Sequence, residues 1–355
     1  TGSGTANTLE AESDLTYDGT RLSTGNSVII GGSAGGGTVG NNSVNVGDAA
    51  GYSNPGQRSV NVGGNACGYS NAGQHSVNIG GNAAGYSNAG DYSINVGTSA
   101  GYSNAGDYAI NIGHSAGYNS GGNNGVNIGR NAGYSQNSTP ANVAIGFEAL
   151  YTNASANNNV ALGYRALRTT TSAQNVAVGA DALRYQTTGS TNTAVGRGAA
   201  EHLTTSSGNV AIGFEALRGA NTSNPVTGAS NIAIGAYAGD AMKDGSQNVL
   251  IGQNCGGAMV SSHWNVAIGK DCADFATGLG NVILGHDAGR STSGNYNVVL
   301  GKAAGDVGSF SGANNIIIGY NADPTSASTS NEITLGNTDI SNLRVPGIGL
   351  SVTSL

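Results

Sequence analysis

Charge, proline, phenylalanine and cysteine are all scarce in this chain of 355 residues. Only 9% of it is charged, and its 13 scattered basic residues against a net charge of -7 give no basic patch. That excludes a nucleic-acid phosphate backbone as partner. Long apolar runs are missing as well: Ile316-Ile317-Ile318 is typical of the longest, far short of a membrane span. The 3 cysteines exclude a disulfide framework and leave the redox compartment open. No signal-peptide pattern opens the chain, which starts at Thr1 rather than Met, so a processed or partial product is expected. What is abundant is glycine, 61 residues, but not at every third position, so collagen is excluded. Asn, Ser and Thr supply the polarity, while a regular lattice of Val and Ile argues against disorder.

That lattice is a repeat. Val143-Ala144-Ile145-Gly146-Phe147-Glu148-Ala149-Leu150 recurs in variants along nearly the whole chain. The glycine closing each aliphatic triplet appears 19 times from Gly31 to Gly336, and every interval is 16, 17 or 18 residues except the 22 from Gly213 to Gly235. So short a period means stacked coils, each covering the apolar face of the last. Pairs such as Val44 and Val46, or Val298 and Leu300, alternate at period two, which predicts a short strand with the paired aliphatics inward and the residue between them outward. Three residues after the glycine stands Ala (Ala50, Ala66, Ala149, Ala216) or, twice, Cys255 and Cys272, which predicts a crowded corner. Helix competes for runs such as Glu148-Ala149-Leu150, but these are about one turn long, too short to be stable.

Four segments follow. Residues 1–26 read as a lead-in or cap, because an open coil end exposes strand edges. In 27–140 the middle residue of six successive triplets is Asn (Asn45, Asn61, Asn78, Asn95, Asn111, Asn127), which predicts an amide ladder passed from coil to coil. The same coils put Tyr52, Tyr69, Tyr86, Tyr102, Tyr118 and Tyr134 at equivalent places, a second ladder. In 141–322 the middle residue becomes Ala and then aliphatic, as in Ile283, Val299 and Ile317, while Asn moves ahead of the triplet. The outer face is therefore expected to turn apolar and to be covered by identical chains, most simply in a homotrimer. The insertion Gly219 to Gly228 predicts an extruded loop, and 323–355 is an exit segment.

Chemistry is sparse. His75, His114, His202, His263 and His286 lie in different coils without ligand spacing, so no metal is expected. Glu148, Asp181, Glu215, Asp271 and Asp287 share the second place after the marker glycine, but only Asp271 and Asp287 fall in adjacent coils. Solvated turn carboxylates explain them better than a glycosidase pair. No glycine-rich run precedes Lys-Ser or Lys-Thr, so no phosphate loop is present. No catalytic residue and no cofactor are expected. Cys255 and Cys272 stack one repeat apart as buried thiols. The tyrosine column remains the candidate glycan-binding surface, with a structural stack along a corner as the competing explanation.

The coil Asn-Val-Ala-Ile-Gly-x-x-Ala-Leu, at Asn142 to Leu150 and Asn209 to Leu217, resembles the repeats of bacteriophage tail fibres. It is also similar to the head repeats of trimeric autotransporter adhesins, left-handed parallel β-rolls packed as trimers. Asp14 to Thr20 and Asn331 to Asn337 resemble the flanks of such segments in phage fibres, where the exit often precedes a self-cleaving chaperone lost on maturation. Coils of 16 or 17 residues, with no coiled-coil stalk or membrane anchor, depart from the adhesins and tilt the resemblance toward the phage fibre. Together these readings predict an all-β chain, a parallel β-solenoid or β-roll of about 19 coils. At about 4.8 Å per coil it would be a rod near 90 Å long. The expected role is that of a homotrimeric, non-catalytic virion tail fibre, extracellular, that recognises a host cell-surface polysaccharide. The alternative is a bacterial trimeric surface adhesin. An enzyme acting on polysaccharide and an ice-binding solenoid are weaker still.

Overall fold

A computed structural model describes residues 15–17, 22–24 and 28–30. From 42 to 342 it describes all but 53–55, 68–72, 85–89, 104–105, 137–139, 154–155, 222 and 224. The fold is all-β, a parallel β-solenoid without helix among the described residues. The chain divides into two compact units, Thr1–Thr191 and Asn192–Leu355.

In the first unit β1 (Leu15–Tyr17) and β2 (Leu22–Thr24) pair antiparallel. The stack starts at β3 (Val28–Ile30) and β4 (Val44–Val46), and continues one coil at a time through β10 (Val143–Ile145), β12 (Val160–Leu162) and β14 (Val176–Val178). Every pairing is parallel and in register, so Asn45 faces Asn61 and Ala144 faces Ala161. A second, shorter wall contains β11 (Thr152–Asn153) and β13 (Thr169–Thr170), also parallel. The second unit repeats the plan from β15 (Thr193–Val195) to β22 (Ile316–Ile318) and β23 (Ile333–Leu335).

Which face is inside differs from the expectation. In every stack strand from Val44–Val46 to Ile316–Ile318 the middle residue is buried and the flanking aliphatics are half-buried or exposed. The space inside a coil bounded by two tight corners is narrow, so it takes one inward side chain from each triplet, Asn or Ala in most coils and Leu250, Ile283, Val299 or Ile317 in the others, and the flanking aliphatics turn outward. The outer face is thus aliphatic along each unit rather than becoming so toward the C-terminus.

The inward face explains the shift of Asn. Asn45 to Asn127 form a ladder, each Nδ2 donating to the Oδ1 of the preceding coil at 2.8–2.9 Å. Gln136 then donates to Asn127 at 2.9 Å and accepts from Asn142 at 3.5 Å, handing the ladder to the position two residues earlier. Two residues is one strand period, so both positions face inward. From Asn142, the Asn Oδ1 accepts the backbone N–H of Asn159, whose own Oδ1 accepts that of Asn175, both at 2.9 Å. In the second unit the same bonds run from Asn192 to Asn315.

The marker glycines are required at their place. Gly163 has φ of 137°, and a Cβ there would lie 2.6 Å from the carbonyl oxygen of Gly179 in the next coil. Beyond the glycine the backbone alternates into the left-handed region, at Glu148 (φ 51°) and Leu150 (φ 48°) for example. Such alternation points peptide groups both up and down the stack. Gly51 N–H donates to Ala66 at 2.8 Å while Asn65 N–H donates back to Asp48 at 2.9 Å. This bonding takes the place of the helix that Glu148-Ala149-Leu150 suggests.

The 22-residue interval is only partly extruded. Val226 is fully buried and bridges in parallel to Leu203, because its side chain closes the apolar interior that the inserted residues would otherwise leave open.

Candidate functional site

Among the described residues the tyrosine column lies five residues after the marker glycine, just past the small-residue corner, whereas Tyr69 and Tyr86 stand six after theirs. Tyr102, Tyr118 and Tyr134 stack face to face at 4.8 and 4.9 Å, and the stack continues to Tyr151 at 5.0 Å. Tyr151 belongs to the same column but lacks the Gly-Tyr pair by which the column is read in sequence, since Leu150 replaces that glycine. The Arg168 guanidinium covers the next position, 5.0 Å from the Tyr151 centroid, and its Nε donates to Glu148 at 2.8 Å. Tyr52 is exposed, and Tyr69 and Tyr86 lie outside the described residues. Both faces of Tyr118 and of Tyr134 are thus taken by neighbouring rings. A sugar ring has no room to stack on them and would meet ring edges and hydroxyls.

A second aromatic column, not singled out in the sequence, lies five residues before the marker glycine, at the turn that enters the strand. His75, Tyr92 and Tyr108 stack there at 4.7 and 5.1 Å. Arg58 Nη1 lies 3.1 Å from His75 Nε2. Tyr92 and Tyr108 are 51% and 59% exposed, more than any described member of the first column. Beside them Asp91 and Asp107 accept backbone N–H bonds from Gln74 and Asp91 at 2.7 and 2.9 Å, so these carboxylates hold the coil edge. The signal available was Tyr recurring in step after Asp, in Asp91-Tyr92 and Asp107-Tyr108. In the second unit Trp264 and Tyr296 occupy the same place.

The carboxylates after the marker glycine are engaged rather than merely solvated. Partial burial works to raise the Glu148 carboxyl, but the guanidinium groups of Arg168 and Arg165 outweigh it and hold the group below the usual range. For Asp271 the same opposing effect of burial is outweighed by hydrogen bonds from the Asn254 amide and Lys270. Asp271 comes together with His286 and Asp287, their ligand atoms within 4.8 Å of one another. Adjacent coils, not sequence spacing, bring these three together. His286 Nδ1 is 2.7 Å from Asp287, so a metal ion would have to displace that contact together with the Lys270 and Asn254 contacts of Asp271.

Asp240 and Asp274, five residues after their glycines and two coils apart, are both raised, by burial first; the charges of Asp274 and Glu215 add to it at Asp240, and at Asp274 that of Asp271 adds while Arg290 opposes. The cysteines are free and buried. Burial pushes the Cys67 thiol up to about 12. The Cys272 thiol is raised by its hydrogen bond with the Cys255 thiol and by burial. No helix among the described residues is long and apolar enough to cross a membrane. No protein-family model matches the chain, and no curated protein matches it either.

Proposed function

We propose that this chain is a structural fibre protein that associates with identical copies through its strand face, as a homotrimer, and presents a surface that recognises host cell-surface glycan without catalysis, in the manner of a phage tail fibre. The observation that carries this reading is the outward aliphatic face. In the first unit Ile79, Ile94 and Ile112 are 37–39% exposed; in the second, Ile212, Ile232, Ile268, Ile316 and Ile318 are 37–40% exposed. Half-buried valines and leucines stand between them on each unit's sheet. Monomeric proteins rarely expose contiguous apolar patches beyond a few hundred Å². A flat, in-register sheet of this kind suits a second copy of itself, since identical coils offer identical spacing.

The test is the mass and sedimentation coefficient of the native particle. Three times the 34.9 kDa of one chain, with the slow sedimentation of an elongated body, is the expected result. A monomer would remove the subunit interface and with it the fibre.

A further inference from the structure

We propose that Trp264 and Tyr296 form a binding surface for an uncharged pyranose, the Tyr296 ring leaning over Gly280 in the coil between them. This rests on the reading that the chain recognises glycan, and places that recognition away from the tyrosine stack. The position five residues before each marker glycine is left-handed in every described coil of the second unit from Ser230 on. Asn and Gly suit such a backbone, and Asn314, Asn331 and Gly280 occupy it in neighbouring coils. Trp264 (φ 60°) and Tyr296 (φ 59°) are bulky residues held there against that preference. They gain no core packing for it, being 56% and 62% exposed. The turn imposes this backbone on other residues too, Gln247 (φ 61°) among them, so what singles the two out is large aromatic area kept exposed where Asn would serve.

The local arrangement suits a ring-shaped, neutral ligand. Trp264 Nε1 donates to the Gln247 Oε1 at 2.6 Å, which fixes the indole before any ligand arrives. Gly280 lies in the coil between the two aromatics. A Cβ there would strike the Tyr296 ring, at 2.8 and 3.0 Å, so that ring already rests over Gly280 and any larger residue would push it aside. Two coil steps separate Trp264 from Tyr296, about 9.6 Å, against the single step that closes the tyrosine stack. The negative face of an aromatic ring attracts the C–H face of a sugar, and the Gln247 and Asn314 amides flank the pair with groups that pair with hydroxyls. The column itself carries no Asp, Glu, Lys or Arg from Ser230 to Asn331, so nothing in it selects a charged ligand.

Trp264 is the only tryptophan, so its fluorescence reports on the site directly. The whole protein would be titrated with cellohexaose, chitohexaose, maltohexaose and dextran. A saturable change with at least one of these is expected. Tyr296→Asn should weaken it by about tenfold, and Gly280→Asn should abolish it. Trp264→Asn, followed by calorimetry, should lose binding. Asn is the column's own residue, so each variant should keep the wild-type circular dichroism and native mass. No response to any of the four sugars overturns the proposal. Binding by the wild type that all three variants retain in full also overturns the site, yet leaves glycan recognition standing. The native mass judges the fibre separately.

Discussion

Gly163 and Gly64 show how differently one residue type is constrained within one unit. At Gly163 an added methyl would meet the Gly179 carbonyl in a backbone region that L-residues rarely adopt, whereas at Gly64 nothing lies within 4 Å. Gly163→Ala is predicted to cost about 2–6 kcal/mol, and Gly64→Ala less than about 0.5 kcal/mol, read from urea midpoints. Asn78 is constrained by its partners instead: it donates to Asn61 at 2.9 Å and accepts from Asn95 at 2.8 Å. Asn78→Ala leaves Asn61 Oδ1 without its ladder donor in a dry interior and should cost about 2–4 kcal/mol. The three thiols, buried and free, should resist iodoacetamide in the native protein and all react in urea. Native labelling of Cys67 would contradict its burial.

At the scale of the coil, interior volume is shared between two positions. In four coils whose middle residue is Ala (Ala144, Ala161, Ala177 and Ala211), the fourth residue after the glycine is a buried Leu (Leu150, Leu167, Leu183 and Leu217). Where the middle residue is larger, that place is Gly in most coils, with Cys67, Ala84 and Asp323 among the exceptions. A Cβ on Gly117 would strike the Asn111 amide, and one on Gly256 would lie 2.9 Å from a Leu250 methyl. Ala144→Leu alone should therefore cost about 1–3 kcal/mol by overpacking. Leu150→Gly added to it should recover most of that loss, since Leu150 already sits at φ 48°. A failure of the pair to compensate in thermal unfolding would break the packing argument. Charge acts on the same coil. Because Arg168 and Arg165 hold Glu148 below its ordinary value, their contribution is complete above that value and is lost as pH falls through the lowered one. The wild type should exceed Glu148→Gln in melting temperature near pH 6, and the gap should close as pH falls below the ordinary carboxyl value of about 4.3.

At the scale of the whole molecule the proposed association rests on the outward aliphatics. Ile94→Lys with Ile112→Lys in the first unit, or Ile212→Lys with Ile268→Lys in the second, replaces exposed side chains without touching the interior. Each pair is expected to leave the circular dichroism of one chain intact and to shift the native mass toward 34.9 kDa. Trimers that survive both pairs would place the interface elsewhere.

The sequence by itself determined the repeat, the all-β coil, the Asn ladder and the small-residue corner, because each depends on local spacing that stacking merely multiplies. Val44-Asn45-Val46 could not show which of its faces is inside. Alternation fixes that the faces differ, but the choice depends on how much volume the corners at Gly47 and Ala50 leave within the coil, a property of the closed turn. The tyrosine column was legible as a column, yet the covering of its ring faces follows from a coil rise close to the thickness of two stacked rings. The meeting of Asp271 with His286, and the placing of Trp264 and Tyr296 in one column on either side of Gly280, were hidden for the same reason: residues 15 and 32 apart come into line only when the coils stack.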